Sequence, residues 1–342
     1  MKIGLAYDLK STIVVADDGP DDASEEYDPP GTIDALEREI ENLGHRVFRL
    51  GGGVEFLEKI RDASVDLVFN IAEGRGTHRS REAQIPGILE MLGVPYAGSD
   101  PLTLALALDK PLTKRIAESH GIRTPRYVVV ASRDGLSQVL DARLEFPLVA
   151  KPAFEGSSKG VRTTSLVDDW DGLQSVVENS LRMYRQPVLV EEFISGQEVT
   201  VGMAGSDHPV IVGMMEIVPR LIDPDRFIYS LEVKRDWERQ VSYRCPPNLP
   251  ESTLAEMETM SRRLFDVLGC RDMARIDFRI RKGVPYFLEI NPLPGLSEEY
   301  SDLPIMARAS GWRYSQLIET IVNSALARYG LLEAVDAHRA AL

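Results

Sequence analysis

Apolar and polar positions follow two different periods along the first hundred residues, and the switches between them mark out an ordered series of elements. "KIGLAY" (residues 2–7) is an apolar run of strand length. "GTIDALEREIENLG" spaces its apolar residues for one face of a helix, and Gly44 supplies the stop. "HRVFRL" reads as a strand, "VEFLEKIRDA" as a helix and "VDLVFNIAEG" as a buried strand. "SREAQIPGILEMLG" is helical and "VPYAG" a short strand. This βαβαβ order predicts an α/β fold whose N-terminal unit, residues 1–103, is a doubly wound parallel sheet. Such sheets bind ligands beyond the carboxyl ends of their strands, here "AYDLKST", "GGG" and "NIAEGRG".

From residue 104 the pattern changes. "SDPLTLALALDKPLTKRIAESHG" predicts a helix pair broken at Pro111, just after Lys110. A loop and strand "IRTPRYVVV", a helix near 133–142, the strand "FPLVAK", the helix "DWDGLQSVVENSLRMY" and an edge strand "QPVLVEEFI" complete a second unit, 104–190. A third unit, 191–330, opens with strands "EVTVGMAG" and "PVIVGMMEIV". An irregular stretch over 219–248 follows, and a segment that long inside a compact enzyme reads as a lid or binding loop. A helix over 251–269 precedes the strands "MARIDFRI" and "VPYFLEINPLPG".

Composition narrows the function. The 342 residues suffice for two or three packed units. A formal charge of −14 argues against general nucleic-acid binding, which needs basic surface. No apolar run approaches the roughly 20 residues of a bilayer span, and the N-terminus reads as a strand rather than a secretory signal. Cys245 and Cys270 make neither a disulfide framework nor a zinc pattern, so a reducing cytoplasm is the expected setting. His45, His78, His120, His208 and His338 show no metal spacing, and there is no Gly-x-Ser-x-Gly elbow. The first strand lacks a glycine-rich dinucleotide fingerprint, which argues against a nicotinamide enzyme. "ADDGPDDASEEYDPPG" carries seven acidic residues between Asp17 and Asp28. Mutual repulsion predicts a solvated loop there, and its spacing matches no calcium loop.

Two stretches carry candidate chemistry. In "VAKPAFEGSSKGV" (149–161) Lys151 closes an apolar strand and a Gly/Ser loop follows. Glycines let the backbone turn its N–H groups toward a phosphate, serines add donors and the lysine adds a point charge, although Gly and Ser are also ordinary turn residues. In "ARIDFRI" and "YFLEINP", strand alternation puts Arg275, Asp277 and Arg279 on one face, and Glu289 and Asn291 on one face with Leu288 and Ile290 opposite. A hairpin across "RKGV" brings Asp277, Glu289, Asn291 and Arg275 together. The three oxygen-bearing side chains suit Mg²⁺ beside substrate phosphates; a plain cross-strand ion pair is the alternative.

The order "LDK", "KPAFEGSSKG", "VLVEEFISGQEVTV", "EVK", "RIDF", "FLEINPLPG" resembles the ATP-grasp superfamily and, within it, the D-alanine–D-alanine ligase family, over about residues 65–325. The resemblance implies three α/β domains with ATP between the second and third. It implies that Lys110 and Lys151 contact phosphates and that the loop with Glu155, Ser157 and Ser158 closes over them, Ser157 nearest the transferred group. Glu191, Phe193 and Ile194 would line the adenine, with Leu288 beside the nucleotide and Glu198 on the ribose. Lys234 would reach the γ-phosphate. Asp277, Glu289 and Asn291 would bind two Mg²⁺, for which Mn²⁺ can substitute. Arg275 and the Gly295 N–H would stabilise the oxyanion, and Tyr300 and Ser301 would receive the second amino acid's carboxylate. The activity implied is ADP-forming joining of two small-molecule amino acids through an acyl phosphate, in a homodimer with no nucleic-acid or membrane partner. An ATP-binding module without ligase activity is the competing reading.

Departures from the family pattern fall on the first-substrate side. The first strand ends in "AYDLKST" rather than a Gly/Ser turn carrying a glutamate, leaving Glu25 or Glu26 as substitutes. Arg235 stands where the family has tyrosine, and Glu73 where it has histidine. Arg235 is thereby a candidate for a second substrate carboxylate, and a different amino acid or small acid becomes an alternative substrate.

Overall fold

The computed structural model describes residues 1–13, 15 and 18–332; Asp17 of the acidic stretch and His338 lie outside the described residues. Four parallel strands open the chain: β1 (Lys2–Ala6), β2 (Arg46–Gly51), β3 (Leu67–Asn70) and β4 (Tyr96–Ala97), in the order β2-β1-β3-β4. Helices α1 (Pro30–Asn42), α2 (Gly53–Asp62) and α3 (Gln84–Leu92) make the crossovers. Ile33, Leu36 and Ile40 of α1 fall on one face and pack beneath β1 and β3, as their spacing requires.

The helix pair is α4 (Pro101–Leu108) and α5 (Lys110–Ser119). Its break lies at Asp109, not Pro111. The Asp109 carboxylate accepts the Leu112 N–H and caps α5, while Pro111 sits in the first turn, where its missing N–H costs nothing.

The second sheet comprises β5 (Tyr127–Val130), β6 (Leu148–Pro152), β7 (Leu166–Val167) and β8 (Val188–Glu192), all pairs antiparallel, with α6 (Ser137–Asp141) and α7 (Trp170–Tyr184) against it. Its order is β5-β8-β6-β7, so β8 is interior rather than an edge strand. Val188, Leu189 and Val190 are all fully buried, which fits a strand covered on both faces.

The third sheet runs β11-β10-β9-β12-β13. It is built from β9 (Gln197–Ala204), β10 (Val210–Pro219), β11 (Val241–Arg244), β12 (Met273–Arg281) and β13 (Val284–Asn291). Gly196 joins β8 to β9 at φ +121°, and a Cβ there would lie 2.1 Å from the Ile280 carbonyl oxygen, so only glycine passes the chain between the two sheets. The 219–248 stretch is not structureless. It holds α8 (Leu231–Arg235), α9 (Trp237–Gln240) and β11, organised around a small core of Ile217, Phe227, Val233 and Val241. Helix α10 (Glu251–Leu268) covers the back of the sheet. Two helices close the chain, α11 (Asp302–Ala309) and α12 (Tyr314–Arg328), and the latter packs into the core of the first sheet. Among the described residues no helix is long and apolar enough to cross a membrane.

Candidate active site

The β12–β13 hairpin pairs Arg275 with Asn291 and Asp277 with Glu289, so the four polar side chains share one face as alternation requires. Asp277 accepts from Arg275 Nε at 3.0 Å and Nη2 at 2.9 Å, from Thr200 Oγ1 at 2.7 Å and from Asn291 Nδ2 at 3.2 Å. Ile276, Phe278 and Ile290 point the other way, into the core under α10. The register shifts between Asp277 and Phe278. That bulge lets Leu288 line the same cleft as Glu289, where strict alternation puts it opposite. Among the described residues no three acidic, histidine or cysteine side chains gather as a metal cage. The oxygen donors here are two carboxylates and an amide, a set that fits a hard cation whose remaining positions are filled by phosphate and water.

Glu289 is the electrostatic centre. Burial works to raise its pKa, but Lys110, Lys151, Arg275 and Lys234 outweigh it and hold the carboxyl at about 2. Lys110 Nζ lies 3.3 Å from Glu289 Oε2 and also donates to the Glu155 carbonyl. Lys110 is placed by the cap that starts α5, and Lys151 by the buried end of β6.

A cleft of about 110 Å³ opens between the second and third sheets. Lys110, Lys151, Glu155, Ser158, Glu191, Phe193, Ile194, Glu198, Lys234 and Leu288 all line it. Glu191 is held from both sides, by Lys151 at 2.6 Å and by Lys114 at 2.9 Å. Lys114, fully buried one turn beyond Lys110, was not singled out from sequence, although its i, i+4 spacing from Lys110 was a usable signal. Arg279, on the strand face of Arg275 and Asp277, has a role the sequence did not assign. Its guanidinium donates to the carbonyls of Ile194 (2.7 Å), Gly196 (2.9 Å) and Phe227 (2.5 Å), pairs with Glu198 at 3.0 Å, and lies over the Phe193 ring at 4.7 Å. It fixes the rim of the cleft. The Phe193 N–H donates to the Pro147 carbonyl, whereas no described protein group accepts the Ile194 N–H.

The serine loop and the 219–248 segment meet. Ser157 and Ser158 both adopt left-handed backbone, φ +50° and +58°, a conformation non-glycine residues take only where the surroundings hold it. Ser158 Oγ donates to the Tyr229 carbonyl at 3.0 Å, and the Leu231 N–H to the Val161 carbonyl at 2.9 Å. Lys234 therefore lines the cleft, 5.1 Å from the Tyr229 ring, with no carboxylate partner among the described residues. Burial and the nearby Arg275 lower its pKa.

A larger cavity, about 380 Å³, adjoins the cleft. Lys110, Tyr229, Lys234, Arg275, Glu289 and Asp302 line both spaces. Ser157, Asn291, Gly295, Glu73, Arg235, Tyr300 and Ser301 line the larger one. A Cβ on Gly295 would come within 2.7 Å of Ser301 Oγ, so the turn after β13 needs glycine to sit against the start of α11. Ser301 Oγ accepts the Ser297 N–H at 3.0 Å.

The acidic stretch is not a solvated loop. Asp22 is fully buried and accepts from Gly160 N at 2.9 Å and Tyr184 OH at 2.7 Å. Glu26 joins Arg81 at 2.7 Å and Lys159 at 3.0 Å, and Glu155 joins the same two cations at 3.2 and 2.7 Å. Repulsion within the segment is offset by cations that converge from distant parts of the chain, a pattern no local window displays. Arg235, expected to face a substrate carboxylate, pairs instead with Glu25 at 2.7 Å and Asp21 at 3.5 Å. Glu25 and Glu26, the candidate substitutes for the missing glutamate, are thus both engaged by cations of this chain.

Comparison with known proteins agrees with this architecture. The family described as D-ala D-ala ligase C-terminus matches residues 116–323. The chain is 32% identical over 308 residues to a D-alanine–D-alanine ligase of Pelotomaculum thermopropionicum, covering 88% of this chain and 92% of that one. It is 33% identical over 294 residues to the Aquifex aeolicus D-alanine–D-alanine ligase, covering 84% and 92%. It is also 36% identical over 265 residues to the uncharacterized protein y4sG of Sinorhizobium fredii, covering 77% and 75%. In fold it resembles the ATP-complexed D-alanine–D-alanine ligase of Bacillus anthracis, with TM-score 0.70, 24% identity and 95% and 97% of the chains covered.

Proposed function

The chain belongs to the D-alanine–D-alanine ligase family, enzymes of ATP-grasp fold that form a carbon–nitrogen bond with ATP, and we propose that it activates the carboxylate of one amino acid as an acyl phosphate and joins it to the amine of another. The observation that carries this reading is the shared wall. The 110 Å³ cleft and the 380 Å³ cavity meet at Lys110, Lys234, Arg275 and Glu289, so a nucleotide in the first and an amino acid in the second present their reacting ends to the same residues.

In this reading the purine lies against Val149 and Leu288, its edge accepting from the Ile194 N–H, with Glu198 toward the ribose. The phosphates run toward Lys110, Lys151 and the Ser157–Ser158 turn. Asp277, Glu289 and Asn291 would hold Mg²⁺, which when bound would supply positive charge against the phosphates. One carboxylate oxygen of the first amino acid attacks the γ-phosphorus and ADP departs. The neutral amine of the second attacks the acyl carbon, and the tetrahedral intermediate breaks its carbon–oxygen bond to expel inorganic phosphate, which leaves with the proton lost by the amine. Lys234, unpaired by any carboxylate, neutralises the transferring group; Arg275 and the Gly295 N–H face the oxyanion. Ser301 and Tyr300, at the start of α11, receive the second carboxylate. The serine loop and lid exclude water that would hydrolyse the acyl phosphate. The relatives' names make D-alanine the first pair to try. A homodimer and a cytoplasmic setting complete the proposal; sedimentation tests the first.

The test is phosphate release from ATP and Mg²⁺ with single and paired D- and L-amino acids, with mass spectrometry of the products. Phosphate equal to dipeptide supports the reading. Tight ATP binding with no condensed product from any pair would replace it with a non-catalytic nucleotide-binding role.

A further inference from the structure

The larger cavity is polarised. Its boundary with the cleft carries Lys110, Lys234 and Arg275 together with Glu289 and Asp302; away from that boundary its lining includes Asp28, Glu73 and Glu82. The boundary suits the carboxylate of an amino acid and the acidic lining its ammonium. The charges do not then balance. Glu82, at the entry to α3, is buried to 7% exposure, makes no ion pair or hydrogen bond among the described residues, and lines the cavity. Among the described residues Glu73, after β3, likewise has no ion pair or hydrogen bond for its side chain, and Asp28 has no cation within ion-pair distance; both line the cavity. The neighbouring carboxylates Glu25 and Glu26 are already neutralised by Arg235, Lys10, Arg81 and Lys159. One α-ammonium compensates one of the three open carboxylates. Unpaired carboxylates held together, Glu82 buried and Glu73 and Asp28 half-buried, are costly, and a second cation on the ligand relieves that cost.

We propose that the first amino acid of this ligase carries a second positive charge, as a diamino acid or guanidino acid does, and that Glu82 and Glu73 bind that side-chain cation. The inference rests on the ligase reading above and names its substrate class. The pKa directions agree. Burial and then Glu82 push Glu73 well above the ordinary carboxylate range, and burial, against Arg81, pushes Glu82 to about 7. Glu26, Asp28, Arg81, Lys110 and Glu155 are the other charged groups that face them.

Phosphate release with full-length protein, ATP and Mg²⁺ compares alanine and serine with lysine, ornithine, 2,4-diaminobutyrate and arginine, in both enantiomers and with a fixed set of second amino acids. The expected kcat/KM is at least about tenfold higher for a dibasic first substrate, a ratio worth about 1.4 kcal/mol. In Glu82→Gln that ratio falls toward one, mainly through KM. A wild-type preference for alanine, or a ratio unchanged by Glu82→Gln, overturns the inference and leaves the ligase reading standing. Silence with every pair counts against the ligase reading instead. Calorimetric titration of lysine and alanine into the protein loaded with a non-hydrolysable ATP analogue then still decides the inference, and equal affinities overturn it.

Discussion

Arg235 on α8 and Glu25 in the acidic segment, 210 residues apart in sequence, meet at 2.7 Å, so the segment that carries Lys234 is latched to the N-terminal part of the chain. Both partners are partly exposed, at 41% and 20% of the side chain, and such pairs contribute about 0.5–1 kcal/mol. In the ligase reading such a latch bears on how the segment sits over the nucleotide, and contributes little to folding. Arg235→Ala is expected to leave thermal stability almost unchanged, to raise the KM for ATP roughly three- to fivefold, and to speed proteolysis between residues 219 and 240. Steady-state kinetics with limited proteolysis check this. An unchanged KM together with unchanged cleavage would show that the lid closes without the latch.

The cluster of Glu26, Arg81, Glu155 and Lys159 belongs to a different regime. The Arg81 side chain is fully buried, and those of Glu26 and Glu155 are 1% and 4% exposed. Removing Arg81 leaves two carboxylates sharing Lys159, and stranding a buried charge typically costs about 3–5 kcal/mol. Arg81→Ala is therefore expected to lower stability by about that amount in urea unfolding. Because Glu155 also presents its carbonyl to Lys110 and its carboxylate to Gln186, the same variant should loosen the serine loop and weaken ATP binding.

The residues that touch the nucleotide and metal in this reading were legible because their order along the chain carries them and because strand alternation is a local rule. Arg275, Asp277, Glu289 and Asn291 converge through a hairpin whose turn is four residues long in sequence. The ion-pair cluster was not legible, since Lys159 and Glu26 are 133 residues apart and nothing local to either announces the other. The same distance hid the fate of the acidic stretch. Read alone it is a solvated loop; in the fold Asp22 caps the Gly160 turn. Leu288 illustrates a third case, in which a one-residue bulge defeats the alternation that otherwise works. In 219–248, Phe227, Val233 and Trp237 were visible as apolar positions, but short elements packed on a core of their own give no long period to detect.

Glu82 makes stability depend on pH with a definite sign. Its folded carboxyl binds a proton more tightly than the unfolded chain does, so its unfavourable contribution is absent below about pH 4.5, grows as pH rises, and is complete above about 7. At about 1.4 kcal/mol per pH unit, the full effect is about 3 kcal/mol. Glu82→Gln takes no proton and should be more stable than wild type at pH 8 by up to that amount, with most of the gain gone at pH 5. Thermal melts of the ligand-free protein at the two pH values measure it. A pH-independent difference would mean that Glu82 has a partner in solution.

Glu191 supplies the last test, because it separates a structural charge from a nucleotide contact. It lies between Lys114 and Lys151, whose side chains are 0% and 9% exposed, and Thr124 is the only other described group that Lys114 bonds. Glu191→Gln leaves two buried ammonium groups repelling across a neutral amide, and a loss of about 3–5 kcal/mol is expected. Burial already lowers the Lys114 pKa against the pull of Glu191, so without the carboxylate that pKa should fall further. Replacing Lys114 by Met as well removes the stranded charge, and the double variant Lys114→Met/Glu191→Gln should recover about 1–3 kcal/mol of the loss. ATP affinity separates the roles. If Glu191 serves only to neutralise the lysines, the double variant regains binding with its stability. If the carboxylate also contacts the purine, stability returns while ATP binding stays weak, and a titration of both variants with ATP distinguishes the two.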